Sequence, residues 1–150
     1  MKFFGQFEEP VDTILYERYF KYKPTAGFFI ECGAFDGVNE SCCFLFERYL
    51  NWSGVNIEPS PAIFKKLVSN RPNAKNLCVA LSNKNGLAEF KNTVHPIHGE
   101  LFGNGSIEHT QKHLNELAKE NVGFFSSSVE TIDYDTLFSR INVSKVDLFV

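Results

Sequence analysis

Three short apolar runs, separated by segments with helical periodicity, constrain the fold of this chain more than anything else in it. Gly27–Cys32 (GFFIEC), Trp52–Ile57 and Asn76–Leu81 are each bounded by turn-forming or polar residues. Runs of that length and continuity read as strands covered on both faces, as in a parallel sheet. Between the first two lies Ser41–Leu50, a helix rich in Phe and Leu. Between the second and third, Ser60 is placed to cap a helix with Pro61 in its first turn, Ile63, Phe64, Leu67 and Val68 on one face, and Pro72 as its limit. Strand–helix–strand–helix–strand order winds a parallel sheet in the right-handed sense and leaves ligand sites outside the carboxyl ends of its strands. The expected fold class is therefore α/β, a doubly wound, mostly parallel, Rossmann-like sheet.

The flanking segments extend this plan. Val11, Ile14, Leu15 and Tyr19 recur at helical spacing, which predicts an amphipathic helix ending before Pro24. After the third run, Ser82–Gly86 reads as a turn and Leu87–Lys91 as a short strand, followed by a glycine-containing loop over Thr93–Ser106. A helix over Ile107–Glu120, a strand over Ser127–Ile132, a short helix over Asp135–Ile141 and a buried strand over Lys145–Val150 complete the pattern. No repeat or linker divides it, so residues 1–150 are expected as a single domain.

Composition narrows the function. A chain of 150 residues can bury roughly 70% of its unfolded surface. A net charge of -3 gives no attractive field for nucleic acid or anionic lipid, and neither partner is expected. The adjacent Lys65 and Lys66, with Arg71 beyond them, read as the solvated face of a helix. Cys32, Cys42, Cys43 and Cys78 lack metal-ligand spacing and sit in apolar runs, so they read as reduced core residues. With no leader-like or membrane-spanning apolar stretch, a cytoplasmic location is expected.

The segment that carries chemistry is Glu31-Cys32-Gly33-Ala34-Phe35-Asp36-Gly37, directly after the first strand. Glycines there let the backbone turn sharply and approach a ligand, and the helix start beyond offers free N–H groups. The dinucleotide fingerprint is broken by Phe35 and Val38, which weakens an NAD reading, and no Gly-Lys-Ser or Gly-Lys-Thr supports a P-loop. Glu58 closes the second strand, where an acid can accept hydrogen bonds from both hydroxyls of a ribose. His95 and His98 read as solvated loop residues. His109 and His113 have i, i+4 spacing without a third ligand and read as a solvated helix face, so no metal is expected.

In order and spacing, GFFIECGAFDG, FERYLNWSGVNIEPSP, FKKLVSNRP and VALSN resemble the FkbM family of class I methyltransferases, and SVETIDYDTLF and VSKVDLFV look like its approach to the fourth sheet strand. The resemblance implies S-adenosylmethionine as cofactor. It implies that Glu31, Gly33, Ala34 and Gly37 surround the methionine part, that Asp36 orients the loop, that Glu58 holds the ribose, and that Leu81 and Ser82 border the adenine. The implied reaction is O-methyl transfer to a small-molecule or glycan-like hydroxyl, with a noncatalytic methyltransferase-like binding module as the alternative. The family's acidic D-x-E-G-type motif follows a strand like Lys145–Val150, so the chain is expected to hold the cofactor-binding half of such a domain. It is expected to stop after about the fourth core strand and to self-associate through an open sheet edge.

Overall fold

The computed structural model describes all 150 residues. Its centre is a four-stranded, all-parallel sheet built from β1 (Phe28–Cys32), β2 (Ser53–Ile57), β3 (Lys75–Leu77) and β7 (Leu148–Phe149), in the order β3-β2-β1-β7. Helix α2 (Phe44–Leu50) joins β1 to β2, and α3 (Pro61–Asn70) joins β2 to β3. The chain returns to the other side of β1 only after a second sheet and α5 (Tyr134–Ile141). That reversal beside β1 is the position where open α/β sheets form their ligand crevice.

Alternation along β1 sends Phe29 and Ile30 into different cores. Phe29 joins Cys43, Leu45, Phe46, Trp52 and Leu148, with Leu15, Tyr16 and Phe20 of the first helical segment packed against them. Ile30 joins Val55, Ile57, Val79, Ile132 and Leu137, with Ile141 of α5 alongside. Two glycines allow these cores to close: a Cβ at Gly54 would lie 2.5 Å from the Phe29 ring, and one at Gly27 would lie 2.7 Å from Trp52. The helices thus cover both faces of the sheet, as the doubly wound arrangement requires.

Departures from the sequence reading have local causes. The segment expected as one helix is α1 (Val11–Leu15) continued by a π-helical turn, Tyr16–Phe20. The extra residue per turn changes the phase, so Tyr16 and Phe20 face the core while Tyr19 is 68% exposed. The third run does not form one strand. Glu58 N–H donates to Leu77 O, but the next N–H that would face β3, that of Ser60, turns back onto the Glu58 carboxylate and does not continue the ladder. The chain then leaves the sheet, and β4 (Ala80–Leu81) pairs in parallel with β6 (Gly123–Ile132).

The second sheet has the order β4-β6-β5, with β5 (Gly86–Val94) antiparallel to β6 along its full length. Both long strands run further than local composition suggested, because each supplies the other's hydrogen bonds. Asn92 and Thr93 are therefore strand residues, buried at 3% and 2% exposure. Helix α4 (Gln111–Lys119) begins later than expected, where the Thr110 hydroxyl accepts the His113 N–H. No helix is long and apolar enough to cross a membrane.

Candidate functional site

The residues after β1 form a bend held by backbone contacts to the tip of β2. Gly33 and Ala34 both donate N–H bonds to Ile57 O, at 2.9 and 3.0 Å. The Glu58 carboxylate accepts the Phe35 N–H at 3.1 Å through Oε2 and the Ser60 N–H at 2.8 Å through Oε1. The Ser60 side chain does not cap α3; its backbone serves to fix Glu58 instead. Gly33 and Glu58 share the wall of a cavity of about 450 Å3, within the ~300–1,000 Å3 range of small-molecule sites. Gly33 has φ +69° and nothing within 4 Å of the place a Cβ would occupy, so the backbone is bare to the cavity there. Burial pushes the Glu58 carboxyl up to about 7, against the Ser60 and Phe35 N–H bonds that favour its charge.

The other residues singled out from sequence lie behind this wall. Asp36 accepts the Val38 and Asn39 N–H groups, and its second oxygen accepts Asn39 Nδ2 at 2.6 Å, so it shapes the bend from within. Gly37, at φ +79°, is needed for packing, because a Cβ would sit 2.5 Å from Leu67 and 2.6 Å from Arg71. Ala34 is buried beneath the bend. Leu81 packs against the core on the Ile30 face, and Ser82 donates its N–H to Ile132 O; neither lines the cavity.

Glu31 lies away from the cavity wall, and the reading of Arg71 as part of a solvated face is overturned. The Glu31 carboxylate, 4% exposed, accepts the Ser41 hydroxyl and the Cys42 and Cys43 N–H groups at the start of α2. Ser41 accepts the Phe44 N–H and Cys43 O accepts those of Phe46 and Glu47, and no residue of this helix start lines the cavity, so it does not present its donors to a ligand there as the sequence reading expected. Arg71 is not on a solvated face: it is fully buried, donates twice to Glu47, once to Gly37 O, and lies 3.8 Å from Glu31. Its guanidinium also covers the Phe44 and Phe29 rings at 4.9 and 5.4 Å. Burial pushes the Glu31 carboxyl up, while Ser41, Arg71 and the two amides pull it down.

The far wall comes from elements sequence reading did not assign to the site: Phe90, Asn92 and Thr93 of β5, and Glu100, Phe102 and Asn104 of the loop after it. Asn92 Nδ2 donates to Phe90 O and to Ser127 Oγ, whereas its buried Oδ1 has no partner. The loop is organised by two of the four histidines expected to be solvated, His95 at its start and His109 beyond it. His95 stacks on Phe102 at 4.5 Å and accepts the Ile97 and His98 N–H groups, and His109 is 2.8 Å from Asn104 O. His98 is exposed, and His113 caps nothing but stands 5.2 Å from His109. Gln6 and Glu40 complete the wall near the bend. In sequence, Phe90 set between the charged Glu89 and Lys91 was the local signal for this wall, and the alternating burial of β5 follows it.

The cysteines take no part. All are free; Cys43 lies in the core, Cys32 is half-buried against the core on the Ile30 face, and Cys42 and Cys78 are half-buried outside both cores. Burial pushes the Cys32 and Cys42 thiols up to about 11, away from the reactive thiolate.

The cavity's charged side chains are Glu40, Glu58 and Glu100, with no Lys, Arg or His among its lining residues. Such a site suits a cation and repels phosphates. Residues 31–150 match the family model described as the methyltransferase FkbM domain. No curated protein and no solved structure matches the chain. With that match covering most of its length and a parallel Rossmann-like sheet beneath the cavity, the chain belongs to the FkbM methyltransferase family.

Proposed function

We propose that the cavity binds S-adenosylmethionine and that the chain serves methyl transfer to a hydroxyl of a small or glycan-like acceptor. The observation that carries this reading is the Gly33 bend beside the Glu58 carboxylate in a cavity whose charged groups are all acidic. An adenosine sulfonium matches it in two ways. Its ribose hydroxyls are donors for the remaining lone pairs of Glu58, and its positive sulfur is favoured by the surrounding carboxylates. A dinucleotide would bring a diphosphate into the same field, and no basic side chain lines the cavity to receive it.

When bound, the cofactor supplies a methyl group on a positively charged sulfur. The chain's part is to orient it: Gly33 admits the ligand against the backbone, and the Phe35 and Ser60 N–H groups hold the Glu58 oxygens. The polar far wall, with Thr93, Glu100 and Asn104, is the surface offered to an acceptor rich in hydroxyl donors. Calorimetric titration tests the reading: S-adenosylhomocysteine binds the chain, NAD does not, and Glu58→Ala removes the binding. Preference for NAD, or S-adenosylhomocysteine binding that ignores Glu58→Ala, contradicts it.

A further inference from the structure

We infer that Glu40, braced by Gln6 of an N-terminal strap, is the counter-ion for the α-ammonium group on the cofactor's amino-acid tail. The inference rests on the adenosine-sulfonium reading of the cavity and adds the residue that reads its charged end. Glu31, the acid of the β1 tip, is spent on the start of α2 and on Arg71, and does not line the cavity. Glu40 does line it, on the same bend as Gly33. None of the chain's ion pairs involves Glu40, so its charge is not answered from within.

Glu40 is held in place by a long-range contact. Asp12, fully buried, accepts the Phe4 and Gly5 N–H groups at 2.7 and 3.0 Å, which lays the strap along the bend. Gly5 then pairs with Glu40 in a β-bridge, and Gln6 Nε2 donates to Glu40 Oε2 at 3.1 Å. A side chain at position 5 is excluded, since its Cβ would come within 2.8 Å of Asp12 Oδ1 and Val11 N. Glu40 itself has φ +61°, a left-handed conformation that a residue with a Cβ keeps only when its surroundings impose it. Gln6 occupies one carboxylate oxygen, and Oε1 accepts no hydrogen bond from the chain. The strap and bend thus present to the cavity a solvent-exposed carboxylate with one oxygen partnered by Gln6 and the other open.

The test compares three ligands by calorimetry on the full chain: S-adenosylhomocysteine, its N-acetyl derivative, which keeps the carboxylate but loses the ammonium charge, and 5′-methylthioadenosine, which lacks the amino-acid tail. The expected result is that Glu40→Gln weakens S-adenosylhomocysteine about tenfold, the scale of one charge-assisted hydrogen bond, and leaves 5′-methylthioadenosine unchanged. On the unmutated chain the N-acetyl derivative binds about tenfold more weakly than the free amine, a comparison that needs no variant to fold. Equal affinity for the acetylated and free amines overturns the inference, as does a Glu40→Gln loss shared equally by all three ligands. If the ligands bind alike and Glu58→Ala abolishes them all, the cavity reading stands and Glu40 is removed from it. If none binds, both fall.

Discussion

At the scale of single residues, Gly33 and Gly37 share a positive φ but serve different ends. Gly33→Ala costs about 1–2 kcal/mol for the left-handed backbone, but it places a methyl group in open space at the cavity wall. We predict a modest loss of stability with a larger loss of S-adenosylhomocysteine affinity. Gly37→Ala adds a collision with Leu67 and Arg71 to the same backbone penalty, so it costs about 3 kcal/mol or more in denaturant unfolding. Glu58 provides a pH signature. Its carboxyl is raised from 4.5 to about 7 in the fold, so its contribution to stability is intact below pH 4.5 and is lost as pH rises through 7. The shift corresponds to about 3 kcal/mol, and Glu31 shifts in the same direction. Unfolding free energy should therefore fall over that window, and less steeply in Glu58→Gln. Ribose hydroxyls favour the charged carboxylate, so ligand affinity should rise through pH 7 with release of a proton, and Glu58→Gln should flatten the profile.

At the scale of elements, the buried Arg71 joins pieces that sequence distance keeps apart: Glu47 of α2, the bend at Gly37, and the Glu31 tip of β1. Arg71→Met leaves buried carboxylates without their cation and should cost about 3–5 kcal/mol in denaturant unfolding. Arg71→Lys should rescue little, because one ammonium cannot reproduce a guanidinium that donates to Glu47 and Gly37 O together. This network marks a limit of sequence reading. The strands β1 and β2, helix α3 and the glycine bend were legible because apolar continuity, helical spacing and turn residues are local signals. Arg71 follows an exposed lysine pair, and nothing local distinguishes it from them. The same holds for Glu31, whose identity suggested a ligand contact while its partners, Ser41 to Cys43, are set by how α2 docks.

At the scale of the molecule, the cavity exists because two sheets meet around it. The parallel sheet supplies the Gly33 bend and Glu58, and β5 with its loop supplies Asn92, Glu100 and Phe102. The first half was readable in order along the chain; the second depends on β5 pairing with β6 across a long excursion, which no nearby residue signals. The switch of the third run between sheets follows the turn of the Ser60 N–H onto Glu58, and no local signal announces that turn or the new partner in β6. The single tryptophan, Trp52, reports on the core that supports the arrangement. Gly27→Ala presses on that ring and should cost about 1–3 kcal/mol, read as a lower unfolding midpoint by Trp52 fluorescence. The central claim is tested most directly by a crystal structure of the chain grown with S-adenosylhomocysteine. The account predicts both ribose hydroxyls on the Glu58 carboxylate and the thioether over Gly33; ligand density elsewhere, or a ribose that leaves Glu58 bonded only to Phe35 and Ser60, would contradict it.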